Sequence, residues 1–284
     1  MPVEEQYESR WRRFIIFQFP LLAVMIFALF PLAWMVVASF KGDRELYDPN
    51  LSPYIVREPT LSHYRFLFEN TLYTTWLFNS TLVTAVAVSF SLLASVMAAY
   101  ALSRLKFPGV RTLGWMMFVT YLVPATLLFL PMTRVMINFG LINSRFALMA
   151  TYPTFLIPFC TWYLMAYFRS IPVELEEAAR LDGASRLATM TRIALPLVAP
   201  GVLSVGIFAF TNSWNEYLYA LVFISDSSLR TIPVGVTGDL VRGDQFFWGE
   251  LMAAAVVGSL PVVMLYMIFV NRIIPGLTAG AVRG

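Results

Sequence analysis

The chain reads as an all-α integral membrane protein with six transmembrane helices and one charged helical segment set between two of them. Three observations predict this. Of its 284 residues, 58% are hydrophobic and only 13% charged, where a soluble domain carries nearer 25% charge. Apolar runs long enough to cross a bilayer, which takes roughly 20 residues, recur along the chain. The stretch from Glu174 to Arg192 breaks that rhythm with charged, helix-forming residues.

The first run, Phe14–Phe40, follows the basic cluster Arg10, Arg12 and Arg13. It is too long for a secretory signal core and lacks a small-residue cleavage site, so it reads as a retained span. Residues 41–72 follow as a polar external loop, where Pro49, Pro53 and Pro59 disfavour long helix. Further spans are expected at Thr75–Leu102, Leu113–Met136, Phe146–Phe168, Leu197–Ile224 and Gly249–Ile273. A second outer loop covers 225–248, and a tail covers 274–284. Pro131, Pro153, Pro158 and Pro261 fall in or near these spans, either as hinges or as the ordinary prolines of membrane helices.

Charge sets the orientation. The larger share of the 20 Lys and Arg falls on the amino-terminal side, and the loop after the first span is rich in Asp and Glu. That side is read as the cytoplasm, with residues 1–13, the charged segment and the carboxyl terminus all on it. Seven Trp, 13 Tyr and 24 Phe suit bilayer interfaces and helix packing.

Composition excludes whole chemistries. One cysteine, Cys160, permits no disulfide within the chain, and with one histidine, His63, no Cys/His metal cage. Cys160 is expected as a small buried hydrophobe and His63 as a solvated loop residue. Neither lysine, Lys41 or Lys106, follows a glycine, so no Walker A loop is present. No Gly-x-Ser-x-Gly elbow occurs. The chain binds no cofactor or metal on this reading. Energy for uphill movement must come from a partner or an ion gradient. A net charge of +3 is too small to point to nucleic acid.

The charged segment has the makings of a stiff helix–turn–helix. Pro172 suits a helix start, and Glu174, Glu176 and Glu177 favour the positive end of its dipole. Ala178 and Ala179 form helix without bulk, so another surface can approach closely. Gly183 is the natural turn. A second short helix is expected from Ala184 to Ile193, with Pro196 opening the next span. From periodicity alone the segment is equally an interfacial amphipathic connector.

The fifth span carries unusual polarity. On a continuous helix Asn212, Asn215, Glu216 and Tyr219 fall within an arc of about 100°. Three readings of this face are open: it lines a solute path, it bonds helices to one another, or it reaches water at the span's outer end. Phe246-Phe247-Trp248 before the sixth span reads as an aromatic interface belt.

Glu177-Ala178-Ala179, three residues, Gly183, nine residues, Ile193-x-Leu195-Pro196 resembles the EAA motif of the membrane subunits of bacterial ATP-binding-cassette importers. Leu187 and Met190 stand where that family often has aromatics. Trp214-Asn215-Glu216-Tyr217-Leu218 looks like the Trp-Asn-Glu-aromatic signature of its carbohydrate-type members. The tail from Gly276 to Gly284, Pro124 and the run Gly140 to Ser144 are similar to the second subunit of the maltose-type permease pair. The likeness implies a type I importer permease domain over 73–273, with its coupling segment at 172–196. It implies that Glu177, Ala178, Ala179, Asp182 and Gly183 dock on the ATPase. It further implies a sister permease, two cytoplasmic ATPases that use ATP and Mg, an external solute-binding protein that the outer aromatics could probe, and a tail reaching the ATPase interface. The expected function is thus a non-catalytic, carbohydrate-conducting subunit in a bacterial cytoplasmic membrane. The alternatives are the same machinery for another solute, or an ion-coupled transporter, for which only Glu216 offers a buried charge.

Overall fold

The structure, a computed structural model, describes residues 14–281, with side chains through residue 270. The basic cluster at Arg10, Arg12 and Arg13 and the end of the tail lie outside the described residues. The described chain is largely helical, with loops, one two-stranded ladder and an isolated bridge between Lys41 and Pro59. Four helical stretches are long and apolar enough to cross a membrane: Phe14–Ser39, Tyr73–Arg104, Arg186–Trp214 and Trp248–Val270. The expectation of six transmembrane helices is therefore met only in part. The third and fifth apolar runs are broken helices, and the fourth is diluted by Thr151, Tyr152, Pro153, Thr154 and Thr161.

Contacts divide the chain into two units. The first comprises residues 1–71 and 240–257. Here α1 (Phe19–Ser39) follows one widened turn at Phe14–Gln18. Every α1 side chain from Phe19 to Ala33 is exposed, Phe27 to 83%. Such a surface is untenable in water and ordinary in hydrocarbon, where lipid solvates it. The prolines of 41–72 act as expected. Only α2 (Asp43–Tyr47) and α3 (Ser62–Asn70) form there, the second after Pro59. The strands β1 (Val241–Arg242) and β2 (Gln245–Phe246) pair antiparallel. The aromatics ahead of the last helix stack in pairs, Phe246 on Trp248 at 5.4 Å and Phe66 on Phe247 at 6.5 Å.

His63 departs from its reading as a solvated residue: it is 1% exposed. Its Nε2 lies 2.7 Å from the Lys41 carbonyl and its Nδ1 3.1 Å from the Glu250 carboxylate. Glu250 is 187 residues distant in sequence, so no local pattern announces it. Both neighbours only accept hydrogen bonds, so the arrangement is best satisfied when both ring nitrogens donate. The hydrogen bond to Glu250, followed by the Lys41 carbonyl and the nearby Asp43 charge, raises the His63 pKa above 6.5 against the opposing effect of burial. The sign follows. The contribution to stability is complete below about pH 6.5, the unfolded value. It is lost as pH rises through the raised folded value. The thermal midpoint of the detergent-solubilised protein should fall across that upper range, and His63→Gln should remove this dependence. An equal slope in the variant would show that the ring contributes nothing.

The second unit comprises residues 72–239 and 258–284. Its centre is α4 (Tyr73–Arg104), packed most extensively on α7 (Arg145–Ser170). Apart from Tyr73 and Trp76 at its start and Tyr100 near its end, which are buried, the α4 pattern inverts that of a soluble helix. Ser80, Thr84, Ala87, Ser91, Ser95 and Ala99 are buried, while Phe78, Phe90, Leu93 and Met97 point outward. Small side chains let membrane helices approach, and lipid takes the large ones. Around this pair lie α5 (Val110–Leu122), α6 (Phe129–Asn138), α8 (Val173–Leu181) and α9 (Arg186–Thr189). They are followed by α10 (Leu195–Trp214), α11 (Leu218–Phe223) and α12 (Ile232–Leu240). The last helix, α13 (Trp248–Ala281), begins in the first unit and ends in the second. Cys160 is fully buried, as expected. In the Gly140–Ser144 run, Asn143 adopts φ 58° and its Oδ1 accepts from the backbone N–H of Ser225 and Asp226. Ser144 next to it caps α7. Pro131 lies within the first turn of α6, where its missing N–H leaves no intrahelical bond unmade.

Candidate functional site

The charged segment forms the expected hairpin. α7 passes into α8 through Ile171 and Pro172 alone. α8 closes in a Schellman arrangement: Gly183 N–H donates to the Arg180 carbonyl at 3.1 Å and Ala184 N–H to Ala179 at 3.0 Å. Gly183 sits at φ +89°, which a side chain resists. Ser185 Oγ accepts from Ala188 N–H and starts α9. The second helix, expected to stop near Ile193, instead runs on to Trp214. A widened turn at Met190–Ala194 lies just ahead of Pro196, which has no N–H to give to a regular ladder.

The hairpin has two unlike faces. Glu177, Ala178, Asp182 and Gly183 are exposed, with Leu181 bare to 89% and Leu187 to 67%. Glu177 pairs loosely with Arg180 at 3.9 Å. Ala179 turns inward, and so does Glu176, 4% exposed. Glu176 escaped the sequence reading as a residue of special function, although the Glu176-Glu177 doublet puts one carboxylate on each face. Its Oε1 accepts from Arg104 Nε at 2.6 Å and its Oε2 from Tyr100 Oη at 2.9 Å.

The polar residues of the fifth run do not share one continuous helix. α10 ends at Trp214 and α11 begins at Leu218. Asn212 and Asn215 are exposed, and each side-chain amide donates to the carbonyl four residues back. The Glu216 carboxylate accepts from Tyr152 Oη at 2.8 Å, Tyr219 N–H at 2.8 Å and Ala220 N–H at 3.1 Å. It therefore ties α7 to the start of α11 and satisfies backbone donors released by the break.

The third run is broken as well. α5 stops at Leu122, Pro124 follows, and α6 resumes at Phe129. The two breaks meet: Tyr219 Oη donates to the Ala125 carbonyl at 2.8 Å. A cavity of about 270 Å³ lies beside them, with Thr120, Tyr121, Thr154, Asn212 and Tyr219 as its polar lining and Phe155, Phe159 and Phe208 among its apolar wall. Asn212 and Tyr219 thus reach the cavity, while Asn215 and Glu216 do not line it. Tyr152 and Thr154 were not singled out from sequence. Their only signal was polarity inside a proline-containing apolar run.

Apolar helices broken in pairs around a polar-lined cavity, with a rigid charged hairpin beyond them, define a membrane permease. Residues 91–279 match the family described as binding-protein-dependent transport system inner membrane component, and the chain belongs to that family. It is 37% identical to the sulfoquinovosyl glycerol transport system permease protein SmoH of Agrobacterium fabrum, over 92% of this chain and 91% of that one. It is 35% identical to the trehalose/maltose transport system permease protein MalG of Thermococcus litoralis, over 93% and 94%. A chain of a bacterial ABC transporter involved in the import of alginate shares the fold, with TM-score 0.78 and 24% identity over 95% of this chain and 99% of that one.

Proposed function

We propose that this chain is the non-catalytic, membrane-spanning subunit of a carbohydrate importer driven by ATP hydrolysis in a partner. The family membership carries this reading, and the two-faced hairpin gives it a mechanism. The exposed edge of Glu177, Ala178, Leu181, Asp182 and Gly183 is small, stiff and open to a partner's cleft. ATP, with Mg, would close a pair of cytoplasmic ATPases on this edge and on the matching edge of a sister permease. The permease pair would then rock from inward-facing to outward-facing, where an external binding protein delivers the solute. The chain would sit in a bacterial cytoplasmic membrane with both termini inside.

A carbohydrate is favoured because the relatives named above carry sugar-derived cargoes. The cavity by Asn212 and Tyr219 offers what sugars need, amide and hydroxyl groups beside aromatic rings. Glu216 serves this path by holding the broken helices rather than by facing the cargo. The same machinery with a different solute is the second reading.

The test is to purify the tagged chain from its native membrane and identify its companions. A second permease and an ATPase should accompany it. Glu177→Lys should cut the recovered ATPase at least tenfold, roughly 1.4 kcal/mol of docking energy, while the sister permease stays. A chain that purifies alone and transports in liposomes without ATP would overturn the importer reading.

A further inference from the structure

We infer that Glu176, Arg104 and Tyr100 form a buried joint that locks the coupling hairpin to the paired ends of α4 and α7, so that displacement of the hairpin reaches the cavity instead of being lost at a hinge. This rests on the importer reading above and assigns the transmission to named side chains.

The joint is closed by three side chains. Both Glu176 carboxylate oxygens are taken, one by Arg104 Nε at 2.6 Å and the other by Tyr100 Oη at 2.9 Å. Arg104 extends its second arm, Nη2, to the Ile171 carbonyl at 2.7 Å, at the carboxyl end of α7. One guanidinium therefore holds α8 and the α7 end together from the last residue of α4. A planar fork can do this; a lysine, with a single nitrogen, cannot bridge the same two acceptors with the same geometry. The Tyr100 ring meets Phe168 edge-on at 5.6 Å, adding an apolar brace between the same two helices. The covalent link is equally short, since only Ile171 and Pro172 separate α7 from α8. Proline fixes its own φ and restricts Ile171, so the link has little freedom to swivel.

From this joint α7 continues as one helix, through Pro158, to the cavity. Thr154 and Phe155 line the cavity, and Tyr152 holds Glu216. Thr154 and Ser170 are sixteen helical steps apart, about 24 Å at 1.5 Å per residue. Glu176 and its neighbour Glu177 are thereby assigned different tasks. Glu177 faces outward and meets the partner; Glu176 faces inward and is a positioning residue that passes the motion on.

The experiment uses the complete complex in liposomes. Its reporter is Asn212→Cys, at the cavity, labelled with a maleimide and read on this chain, whose native Cys160 is fully buried. In the parent complex, ATP with vanadate should change the labelling rate at least fivefold. In Glu176→Gln, Arg104→Lys and Tyr100→Phe that response should shrink below twofold, while the ATPase still co-purifies in normal yield. A merely structural contact would not separate response from assembly in this way. Tyr100→Phe removes one hydroxyl and keeps the ring on Phe168, which guards against simple misfolding. A full response in Glu176→Gln and Tyr100→Phe would overturn the joint and leave the importer reading intact. A parent complex with no ATP-dependent change would instead overturn the importer reading and the joint with it.

Discussion

Gly183→Val should abolish coupled uptake, with at least a tenfold loss, in a protein that still inserts and keeps its sister subunit. The effect is one of backbone alone, because an added Cβ at Gly183 would meet nothing within 4 Å. The obstacle is φ +89°. A left-handed residue costs an ordinary side chain about 1–2 kcal/mol, and a β-branched one is a worse fit. Relieving that strain means giving up the two bonds that close α8, from Gly183 N–H to Arg180 and from Ala184 N–H to Ala179. The direction in which α9 leaves would change with them, and Leu181 and Leu187 would no longer present one surface. Gly183→Asn should be milder, since asparagine tolerates this conformation. Uptake and ATPase recovery, measured on the same membranes, check the result. Undiminished uptake by Gly183→Val would remove the hairpin from the mechanism.

Trp76→Ala should give the largest loss of stability. Trp76 is fully buried, and its Nε1 donates to the Ser227 carbonyl at 2.8 Å. Its ring lies against α12 at Gly235, where an added Cβ would collide with the Trp76 indole at Cδ2. The pair is a close fit of the largest side chain to the smallest. Removing such an indole costs about 3–5 kcal/mol through lost contacts and the remaining cavity. Gly235→Leu overfills the same space and should cost about 1–3 kcal/mol. The double variant is the sharper measurement. Leucine at 235 has room once the indole is gone, so the two losses should not add. Thermal unfolding in detergent reads all three proteins. Strict additivity would mean that the ring and the glycine do not share the space assigned to them.

Much of this molecule was legible in the chain. The apolar runs at 14–40 and 75–102 became helices close to their expected limits. The turn at Gly183 was legible because so few residues accept a positive φ. Hydropathy placed α7 but not its breadth of function, since Thr154 at the cavity and Cys160 in the core look alike in a sequence of apolar residues. The breaks at 123–128 and 215–217 escaped for a related reason. A run of apolar side chains reports where the chain meets lipid or core, and says nothing about whether each N–H finds a carbonyl four residues back. At the second break those donors turn to a side chain three and four residues back, the Glu216 carboxylate, and the Ala125 carbonyl at the first is paired from afar through Tyr219.

The amino-acid sequence by itself determined the solvent of this protein, the rough position of its apolar runs, and the family that its Glu177–Pro196 pattern announces. These are properties of composition and local order, which a linear pattern carries. The tertiary structure alone decided which of two adjacent glutamates is buried, that His63 is enclosed against Glu250, and that Asn212 and Tyr219 reach the cavity while Glu216 holds the helices beside it. Each of those outcomes depends on a partner many residues away, brought close by packing. A buried charge or amide is tolerated only where such a partner meets it.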